Sequence, residues 1–160
     1  MKHFPLLLIL LWLGSCSTDK EKMLAENDSI IALQGVTHVA KIEVSGNANA
    51  YTFAVTIESP DTGCDQYADW WEVVDLDGHL IYRRILDHSH VTEQPFTRSG
   101  ENIGLAENKV VYVRMHMNNS GYSIQAQKGS VENGFQATEL DVKFAEDLEK
   151  VAPLPDGCAF

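Results

Sequence analysis

Two histidines and a glutamate, close together in the chain, are the residues whose types and spacing most favour chemistry. In an extended backbone, His88 and His90 point to the same side, because side chains alternate with a period of two. Glu93 can supply a carboxylate if the chain turns before Pro95. Imidazole and carboxylate ligands suit zinc, copper, iron or manganese. The spacing therefore predicts a divalent metal site, such as zinc or copper, with His116 from another strand as a further ligand.

The same segment also has two interpretations without metal. Glu93 can pair with Arg98, which would leave the histidines as polar surface around a structural corner. Alternatively, the segment can bind an organic ligand or a protein partner, with Trp70 as an exposed stacking surface beside Asp69 unless a second layer covers it. The ligand-binding set on this interpretation is Asp69, Trp70, His88, His90, Glu93 and Arg98.

The rest of the chain offers no catalytic motif. It contains no Ser-His-Asp order, no glycine-rich phosphate loop and no convincing carboxylate pair. Its 12 Lys and Arg against 23 Asp and Glu give a net charge of −11, which argues against a nucleic-acid partner. The sequence favours a non-catalytic binding protein, and the alternatives are a metal carrier or metal-dependent hydrolase and a purely structural envelope subunit.

The N-terminus has the features of a bacterial lipoprotein signal. An apolar run over residues 6–13 follows the basic Lys2 and ends in Leu13-Gly14-Ser15-Cys16. The run is shorter than the roughly 20 residues that span a bilayer. Residues 1–15 are therefore predicted to be a signal peptide, and Cys16 is predicted to carry fatty acyl chains such as palmitate that anchor the protein in a membrane.

Residues 16–35 are polar and predict a flexible tether. Acidic residues soon after Cys16 resemble the surface-export signals of some Bacteroidetes lipoproteins, and Asp19 does not occupy the position next to the cysteine that would signal inner-membrane retention. We expect an outer-membrane lipoprotein that faces the periplasm or the cell surface. In this oxidising compartment, Cys64 and Cys158 are predicted to form a disulfide.

Residues 36–160 predict one all-β domain. From His38 onward, apolar residues alternate with polar ones, and Asp77-Gly78 is a strong hairpin signal. Trp71 should lie in the core. A last strand is expected over Leu140, Val142 and Phe144. Strands at this spacing predict an immunoglobulin-like antiparallel β-sandwich with an irregular C-terminal tail.

Residues 63–122 carry a specific run of motifs, of which the clearest are His90-Val91 and Glu93-Gln94-Pro95-Phe96-Thr97-Arg98. They resemble a family of exported bacterial β-sandwich proteins with a His-x-His-Val-x-Glu-Gln-Pro-Phe-Thr-Arg segment. Where the family has Trp, Pro, Asp and His, this chain has Cys64, Ser89, Met117 and Ser120. If the last two positions and His116 hold a metal in the relatives, two of the three ligands are missing here. The resemblance implies functional positions but no activity.

Overall fold

The computed structural model describes residues 18–159, so the predicted signal peptide and Cys16 lie outside the described residues. The first element of the described residues is helix α1 (Thr18–Val36). Nine strands follow, namely β1 (His38–Asn47), β2 (Ala50–Glu58), β3 (Ala68–Asp75), β4 (Leu80–Ile85), β5 (Phe96–Ile103), β6 (Val111–Met117), β7 (Gly121–Tyr122), β8 (Gln125–Ser130) and β9 (Gly134–Glu139). Within residues 18–159, no helix is both long enough and apolar enough to cross a membrane.

Helix α1 occupies most of the segment that was predicted to be a flexible tether. Its sequence is rich in Lys, Glu, Met, Leu and Ala, which are strong helix formers. Asp19 and Glu21 lie in its first turn, where the helix dipole favours negative charge. Met23, Leu24 and Ile31 on this helix are exposed. The segment is helical over Thr18–Val36, and its role as a tether stays a prediction.

The first hairpin contributes two strands of a three-stranded antiparallel sheet with the order β1-β2-β5. Strand β2 alternates as the sequence predicts, and its buried residues are Tyr51, Phe53, Val55 and Ile57. A bulge between Val39 and Lys41 shifts the register of β1. Val39 is consequently buried and Ala40 is exposed, although Ile42 and Val44 pack on the core as their alternation suggests.

The second sheet is antiparallel with the order β4-β3-β6-β8-β9, and the short β7 also pairs with β6. The predicted Asp77-Gly78 turn joins β3 to β4, with Gly78 at φ +87°. One oxygen of Asp75 accepts hydrogen bonds from the backbone N–H groups of Asp77 at 3.0 Å and His79 at 2.9 Å. Hydrogen bonding, chiefly from the His79 N–H, lowers the pKa of Asp75 to about 2.

The two sheets share one apolar core, and Trp71 lies within it with no exposed surface. The ring of Trp71 packs against Tyr82, with ring centroids 5.5 Å apart. Both rings lie against Gly100, where a Cβ atom would come within 2.7 Å of the Trp71 ring. The close approach of the two sheets therefore requires a glycine at this position. The prediction that Trp71 is a core residue is confirmed.

The predicted last strand is wrong. Leu140, Val142 and Phe144 lie in a non-strand segment that leads into a 3₁₀ helix at Glu146–Lys150. The last strands are instead β8 and β9, which pair from Gln125 to Ser130. Their turn ends in Asn133-Gly134, with Gly134 at φ +75°, and this dipeptide is a strong hairpin signal that the alternation analysis missed.

Candidate functional site

The segment between β4 and β5, residues 86–95, forms a corner that a buried carboxylate holds in place. One oxygen of Asp61 accepts hydrogen bonds from Ser59 Oγ at 2.7 Å and from the Ala68 N–H at 3.0 Å. Its other oxygen accepts the His90 N–H at 2.8 Å. Because Asp61 joins the end of β2, the start of β3 and the corner, it fixes the corner to both sheets.

His90 does not point outward from this corner. Its ring is stacked on Phe96 with centroids 3.7 Å apart, and the residue is 2% exposed. Neither ring nitrogen has a hydrogen-bond partner within the described residues. Burial, followed by the charges of Arg98 and His88, lowers the pKa of His90 to about 4, against the opposing effects of Asp61 and Glu93. His90 is therefore neutral at pH 7.

We expect His90 to make the domain sensitive to acid. Its pKa is about 4 in the folded protein and 6.5 in the unfolded chain, so only the unfolded chain takes up a proton as the pH falls between these values. This residue alone should lower the free energy of unfolding by up to about 3 kcal/mol from pH 7 to pH 4. Urea unfolding across this range should show a shallower loss for His90→Leu. Parallel curves for the two proteins would rule out the effect.

Two other polar side chains of the corner, those of Gln94 and Glu93, are paired. Gln94 Oε1 accepts the Ser59 N–H at 3.0 Å, and its Nε2 donates to Ser59 Oγ and to the His90 carbonyl. Glu93 forms an ion pair with Arg98 at 2.8 Å, and this hydrogen bond and charge lower the pKa of Glu93. These contacts are those of the structural interpretation of the corner, in which Glu93 and Arg98 pair and Gln94 fixes its shape.

His88 and Val91 are the exposed side chains of the corner that border a concave surface. A cavity of about 270 Å³ lies between the corner and the end of the chain, lined by Gly63, His88, Ser89, Val91 and Ala159. The predicted disulfide between Cys64 and Cys158 is present. Each cysteine is the chain neighbour of a residue that lines the cavity, Gly63 or Ala159. The disulfide therefore joins two of the segments that line the cavity.

The predicted metal ligands are not brought together. Within residues 18–159, the side chains close enough to share a metal ion are Asp75, Asp77 and His79 in the β3–β4 turn. The rings of His88 and His90 are 4.5 Å apart, but His90 is buried against Phe96 and the carboxylate of Glu93 is bound by Arg98. The corner thus presents His88 without the other two ligands.

His116 lies in a different cluster, on the face of the second sheet that is turned away from the core. Its Nδ1 is 2.7 Å from Asp69 and its Nε2 is 3.4 Å from Glu149. Its ring is stacked on Trp70 at 3.7 Å between centroids. The structure therefore places Asp69 and Trp70 with His116 rather than with the corner. Trp70 is buried, as in the alternative in which a second layer or the long loop covers it rather than the one in which it is an exposed stacking surface.

A buried ion triad continues this outer-face cluster, and the sequence analysis missed it. Glu72 pairs with Arg83 through one oxygen at 2.5 Å and with Arg114 through the other at 2.8 Å. All three side chains are essentially fully buried. Arg114 lies 3.4 Å above the ring of Tyr122, whose pKa is raised by burial and by the charge of Glu72.

The ion triad could have been predicted from the two-residue alternation of side chains along each strand together with the pairing of the strands. Trp70 and Glu72 share one face of β3, and Arg114 and His116 share one face of β6. Glu72 lies opposite both Arg83 and Arg114, and Trp70 lies opposite His116. Charges that alternate with buried apolar residues on two adjacent strands are the signal, but it becomes visible only once the pairing of the strands is known.

The second layer over this face is the C-terminal strap, which we define as residues 144–153. Arg114 donates to the carbonyls of Phe144 at 2.5 Å and Ala145 at 3.1 Å. Arg83 donates to three more carbonyls of the strap, at 2.6–3.0 Å, namely those of Leu148, Val151 and Pro153. The two guanidinium groups therefore bind Glu72 on one side and the strap on the other.

A protein of Halomicrobium mukohataei that bears the name "Putative lipoprotein" is similar to this chain. The two are 44% identical over 91 residues. The similarity covers 56% of this chain and 44% of the relative, so the chain matches less than half of the relative's length. No family model and no solved structure matches the chain.

Proposed function

We propose that this chain is a lipid-anchored envelope protein whose β domain binds a ligand or a protein partner without catalysing a reaction. The observation that carries the binding role is the corner over residues 86–95. Buried Asp61 and half-buried Gln94 hold it in place through hydrogen bonds, while His88 and Val91 are exposed beside a cavity. Binding residues are commonly found on loops that a rigid scaffold positions.

We also propose that the domain is an immunoglobulin-like sandwich. The order β1-β2-β5 corresponds to strands A-B-E of that fold, and β4-β3-β6-β8 corresponds to C′-C-F-G. Trp71 on β3 then takes the place of the buried tryptophan of strand C. The shared core of the two sheets supports this assignment.

The lipid anchor is supported by the lipobox at Leu13-Gly14-Ser15-Cys16 and by the name of the relative. The protein should therefore fractionate with the outer membrane, on the periplasmic face or at the cell surface. We expect metabolic labelling with a palmitate analogue to mark the wild-type protein and to leave Cys16→Ala unlabelled, because Cys16 carries the acyl chains. Equal labelling of the two proteins would show that the anchor is absent.

A metal carrier or metal-dependent hydrolase built on His88, His90 and Glu93 is the second hypothesis, and the geometry supports it less well. His90 is buried against Phe96, and Glu93 is paired with Arg98. On this hypothesis, zinc or copper should raise the thermal stability of the wild type but not of His88→Ala, since a metal that binds only the native state stabilises it. If added zinc or copper does not change the thermal stability of the wild type, the metal hypothesis is wrong.

The binding role can be tested by site-specific photo-crosslinking in intact cells. A photoreactive amino acid at position 91 should give a discrete adduct, and the same residue at position 101, exposed on β5 away from the corner, is the matched control. We expect His88→Ala to reduce the adduct at position 91. An adduct that also forms from position 101, or none from position 91, would favour a purely structural envelope subunit.

A further inference from the structure

Much of the attachment of the C-terminal strap to the sheet is through its main chain, although the ring of Phe144 also lies near Arg114. Five of its carbonyls accept hydrogen bonds from Arg83 and Arg114. The 3₁₀ helix at Glu146–Lys150 buries none of its residues, and Val151 points into solvent with 43% of its surface exposed. Side-chain contacts add the Glu149 carboxylate beside His116 and the ring of Phe144 against Tyr112. The contacts with the sheet therefore depend more on the backbone conformation of the strap than on its side chains.

The side chains beneath the strap are charged and aromatic, and stability alone does not require such groups in a permanently covered face. Glu72, Arg83 and Arg114 are buried and charged, and Trp70 and His116 lie beside them. Burying an ion triad carries a large desolvation penalty, and apolar residues of similar volume often give equal or greater stability. A face built from guanidinium donors and aromatic rings can instead be solvated when its cover leaves, and it can bind another chain through the same carbonyl contacts.

One feature of the structure disfavours the bound position of the strap, and another keeps the strap there. Ala145, at the start of the 3₁₀ helix, has φ +50° and ψ +39°, a left-handed conformation that is unfavourable for a residue with a Cβ atom. Its release would relieve this strain. The disulfide between Cys64 and Cys158 follows the strap directly, and the Ala159 N–H donates to the Asp87 carbonyl at 2.6 Å. These contacts keep the strap at a high local concentration over the sheet.

We propose that the outer-face cluster, which comprises Trp70, Glu72, Arg83, Arg114 and His116, is a peptide-binding site that the C-terminal strap occupies in cis. The ligand is an extended or turned peptide segment that presents successive main-chain carbonyls to Arg83 and Arg114. The disulfide favours the strap over any segment in trans. The site is separate from the corner over residues 86–95, so this proposal does not depend on the binding function proposed for the corner.

The test uses the full chain in detergent and a fluorescein-labelled synthetic peptide with the sequence of residues 143–155. We expect fluorescence anisotropy to show saturable binding to the variant with both Cys64→Ser and Cys158→Ser. The strap stays attached through β9 in both proteins, but the disulfide also holds its other end, so binding to the disulfide-bonded wild type should be at least about tenfold weaker. Equal binding by the two proteins, or none by the double variant, would overturn the proposal.

Two modified peptides separate recognition of the main chain from recognition of side chains. A peptide with alanine at the positions of Leu148 and Val151 keeps every carbonyl and should bind within about threefold of the parent. A thioamide at Val151 weakens the acceptor that Arg83 contacts at 2.6 Å and should reduce affinity about tenfold. The opposite ranking would contradict the proposal. So would loss of cooperative thermal unfolding in the double variant, because the strap would then be part of the folding unit.

Discussion

Replacing Glu72 with alanine should lower the free energy of unfolding by about 3–5 kcal/mol, as measured by urea denaturation of the full chain. The carboxylate is fully buried between Arg83 and Arg114. Without it, two guanidinium groups remain close together in a site from which water is excluded. Their hydrogen bonds to strap carbonyls satisfy part of each group but cannot neutralise its charge.

The matched control is Glu43→Ala, which removes an ion pair of similar geometry on the surface. Glu43 lies 2.9 Å from Lys41, and both side chains are more than half exposed. Its loss should change the free energy of unfolding by less than about 1 kcal/mol, because water solvates the charge that remains. If the two variants were equally destabilised, the effect at Glu72 would not come from buried unpaired charge.

Trp71→Ala should cost about 3–5 kcal/mol through lost burial and the cavity it leaves. The indole lies at the contact between the sheets, against Tyr82 and Gly100, where it is fully buried. Equilibrium denaturation followed by far-ultraviolet circular dichroism measures the change. We expect the slope of the transition to stay constant and its midpoint to fall.

Two further variants show whether the indole acts through its volume. Trp71→Phe keeps an aromatic ring and removes an N–H that has no partner within the described residues, so it should lose much less than the alanine variant. Leu76→Ala removes a half-exposed side chain from the β3–β4 turn and should be close to neutral. A phenylalanine variant as unstable as the alanine variant would show that an aromatic ring at this position is not enough and that the larger volume of the indole is required.

Those parts of the fold that depend on local pattern could be predicted from the sequence. The alternation of β2, the turn at Gly78 and the core position of Trp71 follow from period two and from glycine at positive φ. The disulfide followed from two remaining cysteines in an oxidising compartment. The bulge after Val39 could not be predicted, because it depends on how β1 meets its partner rather than on its own residues.

The site was harder to predict because its residues meet across strands and across the chain. His90 and Glu93 were identified from their spacing, but the spacing could not show that Phe96 stacks on one and Arg98 binds the other. Glu72 and Arg114 have the charges of surface residues, and their burial depends on a strap that lies about thirty residues or more further along the chain. Burial by a distant segment of the chain leaves no periodic pattern in the sequence.

The bond between Cys64 and Cys158 also closes a covalent ring that spans 94 positions of the sequence. The corner and the strap both lie inside it. A protease that cuts the backbone once within the ring leaves both fragments joined until the bond is reduced. Helix α1, β1 and β2 lie outside the ring, so one cut before β1 separates the domain from its N-terminal segment. A single cut before β1 can therefore release this domain whole, whereas a single cut within the ring does not separate its two parts.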